Sequence, residues 1–134
     1  MLPFLWKKSY EIGIAKIDTQ LCNLVGIING LSDAMMNKKG YVIVTYILEE
    51  LEDYIQFHFT TEEEIMRHTK YPALDEHCQE HLAMTTKVIE FKKTYAKNHE
   101  INVGEILNFL CDWLKEHIVV SDKKLRAHIQ AMDG

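Results

Sequence analysis

The chain has 134 residues, 47% of them hydrophobic and 26% charged, which suits one soluble domain over residues 1–134. A formal net charge of −5 weighs against nucleic acid or an anionic membrane as the main partner, and no apolar run approaches the roughly 18 residues needed to span a bilayer. The opening residues Met1 to Lys8 place their charge after the apolar residues, the reverse of a secretory signal. Three cysteines, Cys22, Cys78 and Cys111, form no paired spacing and read as reduced thiols packed as small hydrophobes, pointing to the cytoplasm.

Residues 1–17, with Pro3 and Gly13, lack helical periodicity and read as an arm. Asp18 is the candidate cap of a first helix that runs to about Asn37, with Lys39-Gly40 as its stop. Its inward stripe is Ile17, Leu21, Leu24, Val25, Ile28, Leu31 and Met35. The spacing predicts a second helix over 41–68 with Ile47, Leu51, Tyr54, Ile55, Ile65 and Met66 inward, ended by Thr69-Lys70-Tyr71-Pro72. A third helix covers 74–96, with Leu74, Met84, Val88, Phe91 and Tyr95 inward, and a polar connection over 97–100 follows. Asn102 is placed to cap a fourth helix to about Ile118, and a short last helix covers 122–131. With no strand signal and short connections, the expected fold is all-α: an antiparallel up-down-up-down four-helix bundle with an N-terminal arm and a short C-terminal helix.

Polar residues interrupt the apolar stripes. His58 and Glu62, four apart, continue the second helix's inward line; His77 and His81 do the same on the third. His117 follows Leu110, Trp113 and Leu114 on the fourth, and Asp122 comes five residues later. In an up-down-up-down bundle the end of helix two, the start of helix three and the end of helix four lie at one height, so four imidazoles and two carboxylates converge in the core. Singly, each histidine reads as an ordinary core or surface residue. Burying all six groups without partners would cost about 1–3 kcal/mol or more each. A bound first-row metal such as iron, zinc or manganese is the economical account, and carboxylates can bridge two ions. His68, His99 and His128 fall outside this pattern and are expected at the surface or one layer out from the metal.

These residues resemble the hemerythrin family over nearly the whole chain. The arm with Trp6, Tyr10, Gly13, Ile17, Asp18 and Gln20 is similar to the family's N-terminal signature. The run His58-Phe59-Thr60-Thr61-Glu62-Glu63 with Met66, then Tyr71-Pro72 with His77 and His81, then Trp113, His117, Ile118 and Asp122, resemble its other three motifs. The resemblance implies a pair of non-haem irons with an oxo or hydroxo bridge. His77, His81 and His117 would hold one iron and His58 the other, with Glu62 and Asp122 bridging. It implies dioxygen or a small anion as ligand at the iron with fewer histidines, inside an apolar pocket of Leu21, Trp113, Leu114 and Ile118.

The resemblance also calls for a histidine directly after Asp18-Thr19-Gln20, where this chain has Leu21. Several outcomes stay open: the iron pair persists with water, hydroxide or an anion in that position, a neighbour such as Cys22 substitutes, only the three-histidine site fills, or the site is degenerate. The expected function is dioxygen binding for storage, delivery or sensing. A diiron oxidase or peroxidase using a more open second iron is the alternative.

Overall fold

The computed structural model describes residues 4–99 and 102–133; residues 1–3 of the arm and Glu100 of the polar connection lie outside them. Four long helices dominate: α1 (Ala15–Met36), α2 (Tyr41–His68), α3 (Leu74–Lys97) and α4 (Val103–Glu116). They close a ring in which α1 packs on α2 and α4, and α3 packs on the same two helices. Short connections return the chain each time, which gives the antiparallel bundle that the periodicity predicts. None of the helices among the described residues is long and apolar enough to cross a membrane.

Helix ends differ in detail from the expectation. α1 starts at Ala15, and Asp18 lies within its first turn. Asp18 does not cap the helix; its carboxylate accepts from the backbone N–H of Ile12 (2.8 Å) and of Gly13 (3.2 Å), tying the arm down. Gly40, expected to stop α1, is instead the residue before α2 with φ −66°. The left-handed residue is Lys38 (φ 53°), where the N–H of Lys39 donates to Ala34 O and that of Lys38 to Met35 O. This paired pattern is a Schellman cap, and it recurs after α2 at Lys70 (φ 54°), with Tyr71 N donating to Met66 O. α2 thus ends by this cap, one residue before Pro72 could intervene. Asn102 does cap α4, its side chain accepting from Gly104 N–H at 2.9 Å.

The fourth helix departs most from expectation. It does not stop near Ile118: residues His117–Asp122 form a π-helical turn that runs straight into α5 (Lys123–Asp133). In an α-helix, residues five apart point roughly 140° away from each other. The wider i→i+5 turn brings His117 and Asp122 back to one face.

Two apolar clusters flank the polar layer. The main core holds Leu21, Leu24, Ile55, Met84 and Leu114 with others, including Val44 and Leu48, which the periodicity of α2 did not assign. A smaller cluster of Ile12, Ile17, Met66, Tyr71 and Leu125 seals the other end. Along every helix the polar residues lie between members of the two clusters: Glu62 between Ile55 and Met66, for instance, and Asp122 between Leu114 and Leu125. The arm completes the seal, with Phe4, Tyr10 and Ile12 buried and Glu11 O accepting from Arg126 of α5 at 3.0 Å.

Candidate metal centre

The structure brings all six expected ligand residues together, each buried: His58, Glu62, His77, His81, His117 and Asp122. Glu62 sits at the middle. Its Oε1 lies 2.5 Å from His77 Nε2, 3.2 Å from His81 Nε2 and 3.8 Å from His117 Nε2. Its Oε2 faces His58 Nε2 at 3.8 Å. Asp122 Oδ1 lies 3.3 Å from His77 Nε2 and 3.2 Å from His117 Nε2. Glu62, His77, His81 and His117 each present a ligand atom with all four atoms within 4.8 Å of one another. His58 lies to the other side of Glu62, facing Oε2.

What orients the imidazoles was largely missed by the sequence reading. Carboxylates can only accept, so each imidazole that meets one through Nδ1 donates there and turns Nε2 inward. His81 Nδ1 meets Glu63 Oε2 at 2.8 Å, and His117 Nδ1 meets Glu80 Oε1 at 3.3 Å. Ser121 Oγ donates to the same Glu80 oxygen at 2.6 Å. His58 Nδ1 lies 3.2 Å from Gln20 Oε1, and the Gln20 amide donates to Thr61 Oγ1 at 3.3 Å. Rings fix two of the imidazoles as well: Phe59 stacks on His81 at 3.8 Å and Trp113 on His117 at 4.5 Å. Gln20, Phe59 and Glu63 belong to the motifs quoted above, but Glu80 is legible only once α3 is seen to turn it toward α4.

The donor set fits a cation. With their Nδ1 atoms committed to carboxylates, His81 and His117 point Nε2 lone pairs at each other 3.2 Å apart. Glu62 Oε2 and Asp122 Oδ1 are buried with no hydrogen-bond donor. Buried acceptors facing acceptors are costly unless a positive charge lies among them. Without a cation, protons are drawn into its place. Burial pushes the His77 imidazolium down, yet Asp122 and Glu62 outweigh it and hold His77 up at about 9. Burial likewise opposes charge on His117, and Asp122 and Glu62 raise it well above its usual value. Burial alone would raise Glu62, but the surrounding imidazoles His117, His77 and His81 hold it well below the usual carboxylate range. His58 is lowered, because burial outweighs the attraction of Glu62. Glu80, bonded to His117, is held down at about 2 against its partial burial.

Leu21 is 1% exposed and belongs to the main core with Leu114 and Ile118, while Trp113 is half-buried. The three other histidines stay out of the cluster. His68 is exposed, His99 stacks on Tyr41 at the opposite end, and His128 meets Thr69 O at 2.8 Å. All three cysteines are free thiols; Cys111 is buried in the main core and half-buried Cys78 packs against the smaller cluster, but Cys22 is exposed.

A four-helix bundle with imidazoles and carboxylates from two helices and a π-turn meeting in its core is the architecture of a bundle metalloprotein. Residues 14–129 match the family model described as the Hemerythrin HHE cation binding domain. The chain belongs to the hemerythrin family. It is 33% identical to a bacteriohemerythrin of Clostridium acetobutylicum over 125 residues, 90% of this chain and 97% of the relative. It is 34% identical to a bacteriohemerythrin of Aquifex aeolicus over 119 residues, 83% of this chain and 86% of that one. A myohemerythrin of Theromyzon tessulatum is 29% identical over 127 residues, 95% of this chain and 94% of the relative.

Proposed function

We propose that this chain is a non-haem diiron protein that binds dioxygen for storage, delivery or sensing, folding as one unit over residues 1–134. The observation that carries the reading is the pair of donorless buried oxygens, Glu62 Oε2 and Asp122 Oδ1, among four inward-facing imidazoles. His77, His81 and His117 would hold one iron and His58 the other. Glu62 and Asp122 would bridge them, with an oxo or hydroxo group as third bridge. Bound iron supplies the electrons that dioxygen must borrow, which no side chain of the site can lend reversibly.

The protein's own part is to position and to exclude. Glu63, Glu80 and Gln20 hold the Nδ1 protons, so that the Nε2 lone pairs stay available. Leu21, Trp113, Leu114 and Ile118 would form the apolar wall that keeps water away from the second position, and Leu21 leaves that position without a second imidazole. Free thiols on all three cysteines favour a reducing compartment, the cytoplasm.

The test is visible absorption of anaerobically iron(II)-loaded protein on adding dioxygen. A charge-transfer band that bleaches under vacuum and returns over repeated cycles is the expected result, and Leu21→His is expected to lengthen its lifetime. Direct passage to the oxidised spectrum, with sustained turnover of hydrogen peroxide and a reductant, would replace this reading with a diiron oxidase or peroxidase.

A further inference from the structure

Two adjoining clefts lie away from the metal centre, one between α1 and α2 and one on the outer face of α2. One of about 650 Å³ is lined by Gly26 and Gly30 of α1 and by Ile47, Glu50 and Tyr54 of α2, among others. A second, of about 420 Å³, continues from it across Glu50 and Tyr54 to Tyr46, Glu49, Asp53 and Phe57. Together they form one groove along the outside of the α1–α2 pair.

Three features of the groove are unexplained by the fold. Of the eleven exposed large apolar side chains among the described residues, five are on α2, and two of these, Tyr46 (66% exposed) and Phe57 (54%), line the groove. With half-buried Tyr54, whose ring meets that of Phe57, they give the groove an apolar strip. The groove's charges have one sign: Glu49, Glu50 and Asp53 line it, no Lys or Arg does, and none of the three makes an ion pair among the described residues. By contrast Glu52, one face round on α2, is paired with Lys92 at 3.1 Å. Finally, Gly26 and Gly30 interrupt the interior of α1, where glycine is unfavourable relative to alanine. A Cβ at either position would meet nothing within 4 Å, so nothing in the fold requires glycine there. Glycines one turn apart on an open face permit close approach of another backbone.

We infer that this groove docks a basic amphipathic helix of a partner protein. The apolar stripe of that helix lies over Tyr46, Tyr54 and Phe57, its backbone approaches α1 at Gly26 and Gly30, and its Lys or Arg residues meet Glu49, Glu50 and Asp53. The stretch from Tyr46 to Phe57 spans about three helical turns, the length that anchors at i, i+3 or i+4, and i+7 need. Charge decides between occupants. A second copy would set the same carboxylates against each other, and an anionic bilayer would repel them, whereas a cationic helix neutralises them. The inference uses none of the metal ligands and is independent of the proposed function.

The test is calorimetric titration of the iron-loaded full chain with an amphipathic leucine–lysine peptide of about 14 residues, and with its leucine–glutamate counterpart. The expected result is binding of the lysine peptide alone, weakening as salt rises, and weaker by about ten-fold or more in Glu50→Lys with Asp53→Lys. Gly26→Ala with Gly30→Ala is expected to raise Tm while weakening binding, opposite effects that a merely structural role would not produce. Equal binding of both peptides, no binding, or binding that ignores either pair of substitutions would overturn the inference. So would sedimentation showing that the chain self-associates through this groove, with the glycine pair abolishing it.

Discussion

Each of His81 and His117 has a carboxylate on its outer nitrogen, an arrangement that would leave the inner nitrogen free to ligate a cation. Glu80 shows how much depends on one such contact, because it holds His117 and Ser121 together across the bundle. Glu80→Gln keeps the shape but offers an amide that can turn its NH2 toward Nδ1, freeing His117 to take the other tautomer. Iron(II) affinity is expected to fall about 10–100-fold while the fold is retained, as read by competition with a coloured chelator beside far-ultraviolet circular dichroism. An unchanged affinity would show that the Trp113 ring alone fixes His117. At this scale five of the six inward polar residues were legible in the sequence, because helical spacing puts them on the core faces; Asp122, five residues after His117, was legible only from its motif. Glu80 was not. It lies off the stripe of α3, and only the packing of α3 against α4 reveals what it touches. Cys22 misled for the opposite reason: a residue type that is usually buried stands here on an open helix face.

Helix placement was readable where composition left no choice. The bounds expected for α2 match the structure, and those for α3 differ by one residue, because polar turn residues flank both helices. The ends of α1 and the continuity of α4 into α5 were not readable. Propensity says nothing of Asp18 serving the arm, and the five-residue spacing of His117 and Asp122 was taken for a break between helices when it is a π-turn within one. The Schellman caps were missed because lysine, not glycine, occupies the left-handed position at Lys38 and Lys70. That conformation costs an L-residue roughly 1–2 kcal/mol, part of which glycine's greater chain entropy would offset. Lys38→Gly and Lys70→Gly are each expected to stabilise the protein by about 0.5–1 kcal/mol in urea unfolding. A loss of stability at either position would mean the lysine side chain contributes more than its backbone strain costs.

At the scale of the whole molecule, the bundle concentrates ionisable groups in one layer between two apolar clusters, so its stability depends on what that layer holds. In protein stripped of metal, the raised imidazoles His77 (about 9) and His117 stabilise the fold while protonated. That contribution is complete below their unfolded pKa of about 6.5 and is lost as pH rises through the folded values. His58, lowered by burial, acts in the opposite sense and disfavours the fold once pH falls below about 6.5. The Tm of stripped protein should therefore fall between about pH 6.5 and 9. Metal affinity should rise over the same window, since a cation must displace those protons. Thermal melts at several pH values with and without iron(II) check both trends; parallel curves would mean that the layer's protons and the metal do not compete.

The central claim is that this layer is an iron site bridged by Glu62 and Asp122, and the most direct measurement is an anaerobic iron(II) titration counting iron per chain. It would be run on the parent protein and on Glu62→Ala and Asp122→Ala. The account predicts two irons per chain in the parent, the second bound more weakly because Leu21 stands where a further imidazole would be, and loss of iron in both variants. Iron content unchanged by either substitution, or a parent chain that takes up no iron at all, would contradict it.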